Sequence, residues 1–319
     1  MRVLSAARPD RLTLRGDSLP LPGFVPAVTG TGPLDRMIWP HLSRVAPLGV
    51  LVSAPSFFLV HGEPAPLPPR LWIDGGSFGL FAHGGTWREL PDGTASLELV
   101  FDQTRVEMTC HQLLALQQRH AAVGFTLDIP VPVSCDAQEG RRRLRASIEN
   151  ARFAAEHRGP GDLLLYGSLP LGGDPEATLV ALDELLALPI DGVALGGVAG
   201  RREDWGFCLD FVRRVRARLG RLPLHVFGVG AWERVRQIQQ AGADTVDSSS
   251  PLRAALAGRL TGSPGLGIED PSSIERMHLA LTNIARLCCA PLGFDSTGFL
   301  LGGRISRLAT PGTEEDLEP

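Results

Sequence analysis

One feature constrains the fold of this chain more than any other: a short apolar run, ending on glycine, proline, serine or a carboxylate, recurs along its length. The runs are Phe24–Val28, Gly49–Ser53, Leu71–Asp74, Gly124–Asp128, Leu163–Tyr166, Gly192–Leu195, Leu224–Phe227 and Thr245–Asp247. Each has the length of a strand buried on both faces. Between them, Arg141–His157, Glu176–Leu186, Phe207–Leu219 and Trp232–Gln240 read as helices. A strand, a helix and a further strand in that order imply parallel pairing, because the chain must cross back over the sheet. Eight such runs in 319 residues predict an α/β fold, the (β/α)8 TIM barrel.

The unit from Leu222 to Leu260 is the clearest. Leu224–Phe227 is the strand; Gly228 and Gly230 let the chain turn tightly and leave backbone N–H groups uncovered. Val235 and Ile238 share one helical face, Gly242 closes the helix, and the next strand ends at Asp247. A carboxylate at the C-terminal end of a strand lies where α/β folds bind their ligands.

Two segments depart from the repeat. Residues 75–123 form an insertion after the third strand. It holds a Pro91-Asp92-Gly93 turn beside the alternating Ser96–Val100, then a helix expected over Arg105–Arg119. After the eighth strand, Ser272–Leu287 reads as a helix with a capping box from Ser272 to Glu275. We expect one domain over residues 1–309 and an acidic, disordered tail at 310–319.

Composition narrows the chemistry. The chain contains no lysine, every basic residue being arginine, so Schiff-base chemistry and a P-loop are excluded. Five scattered cysteines without Cys-x-x-Cys spacing argue against a disulfide scaffold or a zinc knuckle, and Cys288-Cys289 read as small apolar residues in or near a helix. No apolar stretch is long enough to span a bilayer and the N-terminus lacks a signal-peptide core, so the expectation is a cytoplasmic protein without a membrane partner. A net charge of −4 does not advertise a nucleic-acid binder. The Arg141-Arg142-Arg143-x-Arg145 run and the Arg201-Arg202 pair are read either as solvated faces or as phosphate grips.

If the barrel closes, Asp74, Asp128, Tyr166, Gly196-Gly197, Phe227-Gly228 and Asp247 gather at one rim. Each aspartate alone would serve equally as a helix cap. Three together suit chemistry that needs a nucleophile, a proton shuttle and a carboxylate that reads N–H donors.

At these positions the chain resembles the tRNA-guanine transglycosylases and their DNA-modifying, 7-deazaguanine-inserting relatives. Leu21-Pro22-Gly23-Phe24-Val25-Pro26-Ala27-Val28 looks like the family's opening strand. Ile73-Asp74-Gly75-Gly76-Ser77-Phe78 is similar to its Asp-Ser-Gly-Gly-Phe/Tyr motif with the small residues permuted. Tyr166-Gly167-Ser168 resembles Gln-Gly-Ser with the glutamine replaced, and Asp191–Gly197 resembles the family's Gly-Gly strand end. Gly228-Val229-Gly230 and Asp247-Ser248-Ser249-Ser250-Pro251-Leu252-Arg253 resemble Gly-Val-Gly and Asp-x-x-x-Pro-Thr-Arg.

The resemblance implies base exchange in nucleic acid, through a covalent aspartyl-nucleotide intermediate. Asp247 would attack C1′ and Asp74 would shuttle protons. Asp128 would accept from guanine N1–H and the 2-amino group, and Gly196 and Gly197 would line the O6 side with a backbone N–H. Phe78 and Phe227 would stack on the base, Tyr166 and Gly228 would line it, and Arg253, Arg201 and Arg202 would face the polymer. The partners implied are DNA or tRNA and a free 7-deazaguanine base, with a duplex-opening protein where the substrate is DNA. The family's tRNA enzymes carry zinc on three cysteines and a histidine. His278 resembles that histidine's position but has no cysteine cluster beside it, so no metal and no cofactor are expected. DNA is favoured over tRNA because the chain departs from the tRNA-type pattern at Tyr166, the permuted motif and the zinc ligands.

Two other readings stay open. A flavin- or phosphate-binding barrel could use Gly228-Val229-Gly230 and Ala241-Gly242-Ala243-Asp244 at a helix N-terminus. A non-catalytic subunit could retain the fold alone, though it would have no need of both Asp74 and Asp247.

Overall fold

The structure is a computed structural model that describes residues 8–30, 32–60, 66–82, 84–101, 104–288 and 305–308. The acidic tail at 310–319 and Cys289 lie outside the described residues. Its centre is an eight-stranded sheet of β1 (Gly23–Pro26), β2 (Val50–Ser53), β3 (Leu71–Asp74), β4 (Val123–Phe125), β5 (Leu164–Pro170), β6 (Gly192–Gly196), β7 (Leu224–Val226) and β8 (Thr245–Ser248). Strands β2 to β8 pair in sequence, all in parallel, and β8 then pairs with β1. A parallel bridge between Ala27 and Leu51 closes the circle, with the Val28 N–H donating to the Leu51 carbonyl at 2.9 Å. The expected barrel forms, and all eight apolar runs supply its strands.

The main helices are α1 (Cys110–His120), α2 (Ala137–His157), α3 (Pro175–Leu185), α4 (Trp205–Leu219), α5 (Trp232–Ala241), α6 (Ser250–Leu256) and α7 (Ser273–Leu287). Helices α2 to α5 bury one stripe each against the outer faces of the later strands, where Leu182, Phe211, Val215 and Ile238 meet Val193, Leu195 and Val226. Helix α7 opens on the expected capping box and covers the outside of the barrel near β1, packed on α6 and the short helix Pro33–Ile38.

Inside the barrel, the end that the strands enter is filled by Val25, Leu51, Trp72, Val123, Phe125, Tyr166 and Ala194. A hairpin of Arg11–Leu14 and Asp17–Pro20 closes that end, with Leu12 and Leu14 buried in the same cluster. From sequence alone this segment shows only that it lacks a signal-peptide core. Four-residue strands flanked by charges give little periodicity, and only the barrel floor makes Leu12 and Leu14 a buried pair.

Within the insertion the structure corrects the expected helix. Thr104–Thr109 is a strand, paired antiparallel with Ala95–Phe101, which in turn pairs with Gly85–Glu89. Val106 and Met108 are buried in alternation, a two-residue period, so helical spacing starts only at Cys110. Thr109 and Gln112 form a capping box there. This sheet docks on α2: Arg142 lies 4.6 Å from the Trp87 ring and donates to Glu89, and Arg143 donates to Glu139 and the Pro130 carbonyl. Arg142 therefore ties the insertion to α2, and Arg143 adds a contact 5.6 Å from the same Trp87 ring.

Strand β5 also runs further than the sequence indicated. Its ladder with β6 continues from Tyr166 opposite Gly192 to Pro170 opposite Gly196. The apolar run predicts a strand end at Tyr166. However, the Ser168 N–H is satisfied by Thr126 Oγ1 at 2.8 Å, and Leu169 is buried among the helices. Proline at the end of the strand costs no ladder bond that the strand still needs.

Candidate active site

Three carboxylates reach the opposite, C-terminal end of the barrel, two on strands and one in the loop that follows a strand. Asp74 is the last residue of β3, in register with Ser53 of β2. Its Oδ1 accepts from the Gly76 N–H at 2.8 Å. Gly76 takes φ +73°, and a Cβ there would come within 2.6 Å of Ser53 Oγ, so only glycine lets this loop fold over the carboxylate. Burial pushes the Asp74 carboxyl up to about 7, against the stabilising Gly76 N–H, and the nearby charges of Asp247 and Asp128 add to the rise.

Asp128 lies three residues past β4. The Ser77 hydroxyl stands 2.7 Å from its Oδ1 and 3.0 Å from its carbonyl oxygen. Burial raises this carboxyl above the ordinary carboxylate range in spite of that hydrogen bond. Its Oδ2 faces β6: a Cβ on Gly196 would stand 3.8 Å from Asp128 Oδ2 and 4.0 Å from the Phe227 ring. Glycine at 196 thus leaves a space bounded by a carboxylate on one side and an aromatic ring on another.

Asp247 is buried on β8, at 6% exposure. Its Oδ1 accepts from the Gly228 N–H at 3.0 Å and lies 3.1 Å from His225 Nε2. Gly228 adopts φ +78°, which directs its N–H back toward the carboxylate. His225 is fully buried within β7 and touches the rings of Trp72, Phe125 and Phe227, with centroids 4.7–5.7 Å away.

The structure brings together most of the residues expected at the rim. Asp74, Asp128, Gly196, Phe227, Gly228 and Asp247 share the mouth. Gly197 follows directly, exposed and at φ +82°, where a Cβ would lie 2.5 Å from the Leu171 carbonyl. Phe78, next to the Ser77 that holds Asp128, is 56% exposed.

Others stand elsewhere. Tyr166 is not at the mouth. It sits four residues before the end of β5, fully buried, with its ring centroid 6.0 Å from that of Trp72 and 5.8 Å from that of Phe125. Strand extension to Pro170 is the reason: the residue taken as terminal became an interior one on the barrel floor. Arg201 donates to the Gly172 carbonyl and lies 5.1 Å from the Phe207 ring, tying two rim loops together. Arg253 is half-buried on α6, after β8, and the Arg202 side chain lies outside the described residues. The Asp244 carboxylate, named in the alternative phosphate-loop reading, is engaged within the protein. It accepts from the Leu224 N–H and from Arg216, both at 2.7 Å, at the start of β7.

Sequence reasoning missed Ser53, Ser77 and His225. A usable signal existed for the last, a polar residue at the centre of the apolar run Leu224–Phe227. Beside the mouth, between the loops after β4 and β5, a cleft of about 210 Å³ is lined by Val131, Val133, Arg141, Gly172 and Asp174 among others. Among the described residues no cluster of three or more His, Cys, Asp or Glu side chains could hold a metal ion. Nor is any described helix long and apolar enough to cross a membrane.

Comparison with known proteins finds similarity over this part of the chain. The family profile described as "TGT: Queuine tRNA-ribosyltransferase" matches residues 68–286, which include β3 to β8 and all three carboxylates. A queuine tRNA-ribosyltransferase of Pseudomonas aeruginosa (strain LESB58) is 25% identical over 190 residues, 59% of this chain and 50% of the relative. That of Protochlamydia amoebophila is 29% identical over 149 residues, covering 45% and 36% of the two chains. That of Chlamydia felis is 31% identical over 123 residues, covering 38% and 32%. The chain spans half or less of the length of these relatives.

Proposed function

The chain belongs to the queuine tRNA-ribosyltransferase family, and from that premise we propose that it exchanges a guanine in nucleic acid for a free 7-deazaguanine base. The observation that carries the reading is the convergence of Asp74 on β3, Asp247 on β8 and Asp128 in the loop after β4 upon one mouth. Asp74 senses the charges of both others, so the three act within one electrostatic unit.

In the proposed reaction Asp247 attacks C1′ of the target nucleotide. The C1′–N9 bond breaks, its electron pair leaves with guanine, and an aspartyl ester forms. An ionised carboxylate suits an oxocarbenium-like transition state, as in retaining glycosidases. Asp74 delivers the proton that the departing base requires. It then accepts one from N9 of the incoming base, whose attack on C1′ restores the free Asp247. Two displacements retain the anomeric configuration. A group whose pKa is about 7 is suited to carry a proton both ways near neutral pH.

Asp128 accepts from N1–H and the 2-amino group, with Ser77 fixing its rotamer. The base fits the space that Gly196 leaves open, its O6 toward the Gly197 N–H, and Phe78 closes over it opposite Phe227, as flipped bases are usually held. Arg253, Arg201 and Arg202 remain the candidates for the polymer backbone. Gly228 assists indirectly, since its N–H is directed at Asp247.

The polymer divides the reading in two. DNA is our first choice, with a 7-deazaguanine such as the 7-cyano form inserted. It is supported by the permuted Asp74–Phe78 motif and by His278, which has no cysteine cluster beside it in the sequence. Flipping a base from a duplex costs a few kcal/mol, and a net charge of −4 offers little general affinity to offset it, so a duplex-opening partner fits this choice. Transfer RNA is the second reading, and the name of the similar queuine tRNA-ribosyltransferases favours it. Labelled guanine incubated with the protein and either tRNA or duplex DNA separates the two. Incorporation into tRNA alone, with DNA inert even beside candidate partners, overturns the first choice, and incorporation into neither overturns the exchange reading.

A further inference from the structure

We infer that His225 is a positioning residue that fixes which oxygen of Asp247 attacks; the inference rests on Asp247 being the nucleophile. Both donors directed at this carboxylate meet the same atom. Gly228 N–H is 3.0 Å from Oδ1 and His225 Nε2 is 3.1 Å from it. Two donors on Oδ1 lock the carboxyl plane and leave the lone pairs of Oδ2 for C1′.

The arrangement also sets the imidazole tautomer. A carboxylate only accepts, so Nε2 carries the proton and donates. Nδ1 then accepts from the Thr245 hydroxyl, 2.9 Å away. Thr245 stands directly opposite His225 in the β7–β8 ladder, and Asp247 lies two residues on along the same face of β8. One strand therefore supplies both the nucleophile and the group that orients its partner. The Trp72, Phe125 and Phe227 rings around the imidazole leave it no room to turn.

Two substitutions of like polarity separate positioning from simple packing. In His225→Gln the amide nitrogen reaches the place of Nε2 and can still donate to Asp247; in His225→Asn it reaches only the place of Nδ1. Guanine exchange is measured on both tRNA and duplex DNA, with melting curves for each variant and Asp247→Asn as a control. His225→Asn should lower kcat about 100-fold with KM within about 3-fold, the pattern of a misaligned reacting atom. His225→Gln should recover kcat to within about 5-fold of the parent. Equal activity of the two variants, whether both retained or both lost, overturns the inference. An active Asp247→Asn instead removes the reading on which it rests.

A second measurement needs no nucleic acid. Imidazole ¹⁵N NMR of the full chain should show the His225 proton on Nε2, with Nδ1 bare. A proton on Nδ1, alone or together with Nε2, overturns the inference even if neither polymer proves to be a substrate.

Discussion

Asp74 illustrates how a short motif becomes a chemical group only through its surroundings. Its carboxyl is raised to about 7, first by burial and then by two neighbouring carboxylates. The folded chain therefore holds a proton there that the unfolded chain releases near pH 4. Between about pH 4 and about pH 7 the folded state binds more protons than the unfolded one, so this group makes stability fall as pH rises. Asp74→Asn removes that slope. The melting temperature of the variant relative to the parent should climb across this window; a constant difference from pH 4 to pH 8 would contradict the raised carboxyl. The same variant should lose turnover while some covalent adduct still forms. Asp247→Asn should reduce exchange by more than about 10⁴-fold with the fold intact, measured as incorporated label, because it removes the proposed nucleophile. Asp128→Ala should weaken binding of free guanine by about 2–3 kcal/mol, read by titration, since a charged acceptor is lost to the base.

At the scale of elements, the loops after the strands carry the constraint. Gly197 sits where φ is +82° and a Cβ would meet the Leu171 carbonyl at 2.5 Å. Backbone cannot yield as a flexible side chain can, so Gly197→Ala should destabilise by about 1–3 kcal/mol and displace the neighbouring Gly196. Thermal melting gives the first effect, and reduced affinity for free base gives the second. By contrast Ser272 works far from the mouth. Its capping box satisfies the first turn of α7, and Ser272→Ala should cost about 1 kcal/mol in melting experiments with exchange kinetics unchanged. The pair separates a glycine that shapes the site from a cap that only holds the frame.

Over the whole molecule, the two ends of the barrel do different work. The floor is apolar and closed by a hairpin, and the mouth holds the carboxylates. Acidic groups in the mouth repel a polyanion, so on the proposed function polymer affinity comes from arginines around the rim. Binding to nucleic acid should therefore weaken steeply with salt, by a slope that reports the number of phosphates neutralised. Affinity measured from low to physiological salt tests this; a flat response would mean that the base pocket alone supplies the binding. Zinc analysis of purified protein should find no stoichiometric metal, because in the sequence His278 has no cysteine cluster beside it to complete four ligands.

The architecture follows from local sequence pattern. Apolar runs of strand length, separated by helical stripes, can be buried in few ways other than a parallel closed sheet, and the carboxylates at the ends of β3 and β8 could be located by counting. The sequence also identifies the capping box of α7, which depends on residues three apart. Its errors fell where local signals compete with tertiary ones. Thr104–Thr109 became a strand because a neighbouring strand offered its hydrogen bonds. The hairpin at Arg11–Pro20 exists because the barrel floor needs covering. Tyr166 moved inside because β6 holds β5 in register as far as Pro170. Only the tertiary structure could set His225 against Asp247, or Ser77 against Asp128. Those partners lie 22 and 51 residues apart, and nothing in the local chain records a hydrogen bond between them. Local periodicity determines which faces are buried; chain closure determines which buried polar groups meet.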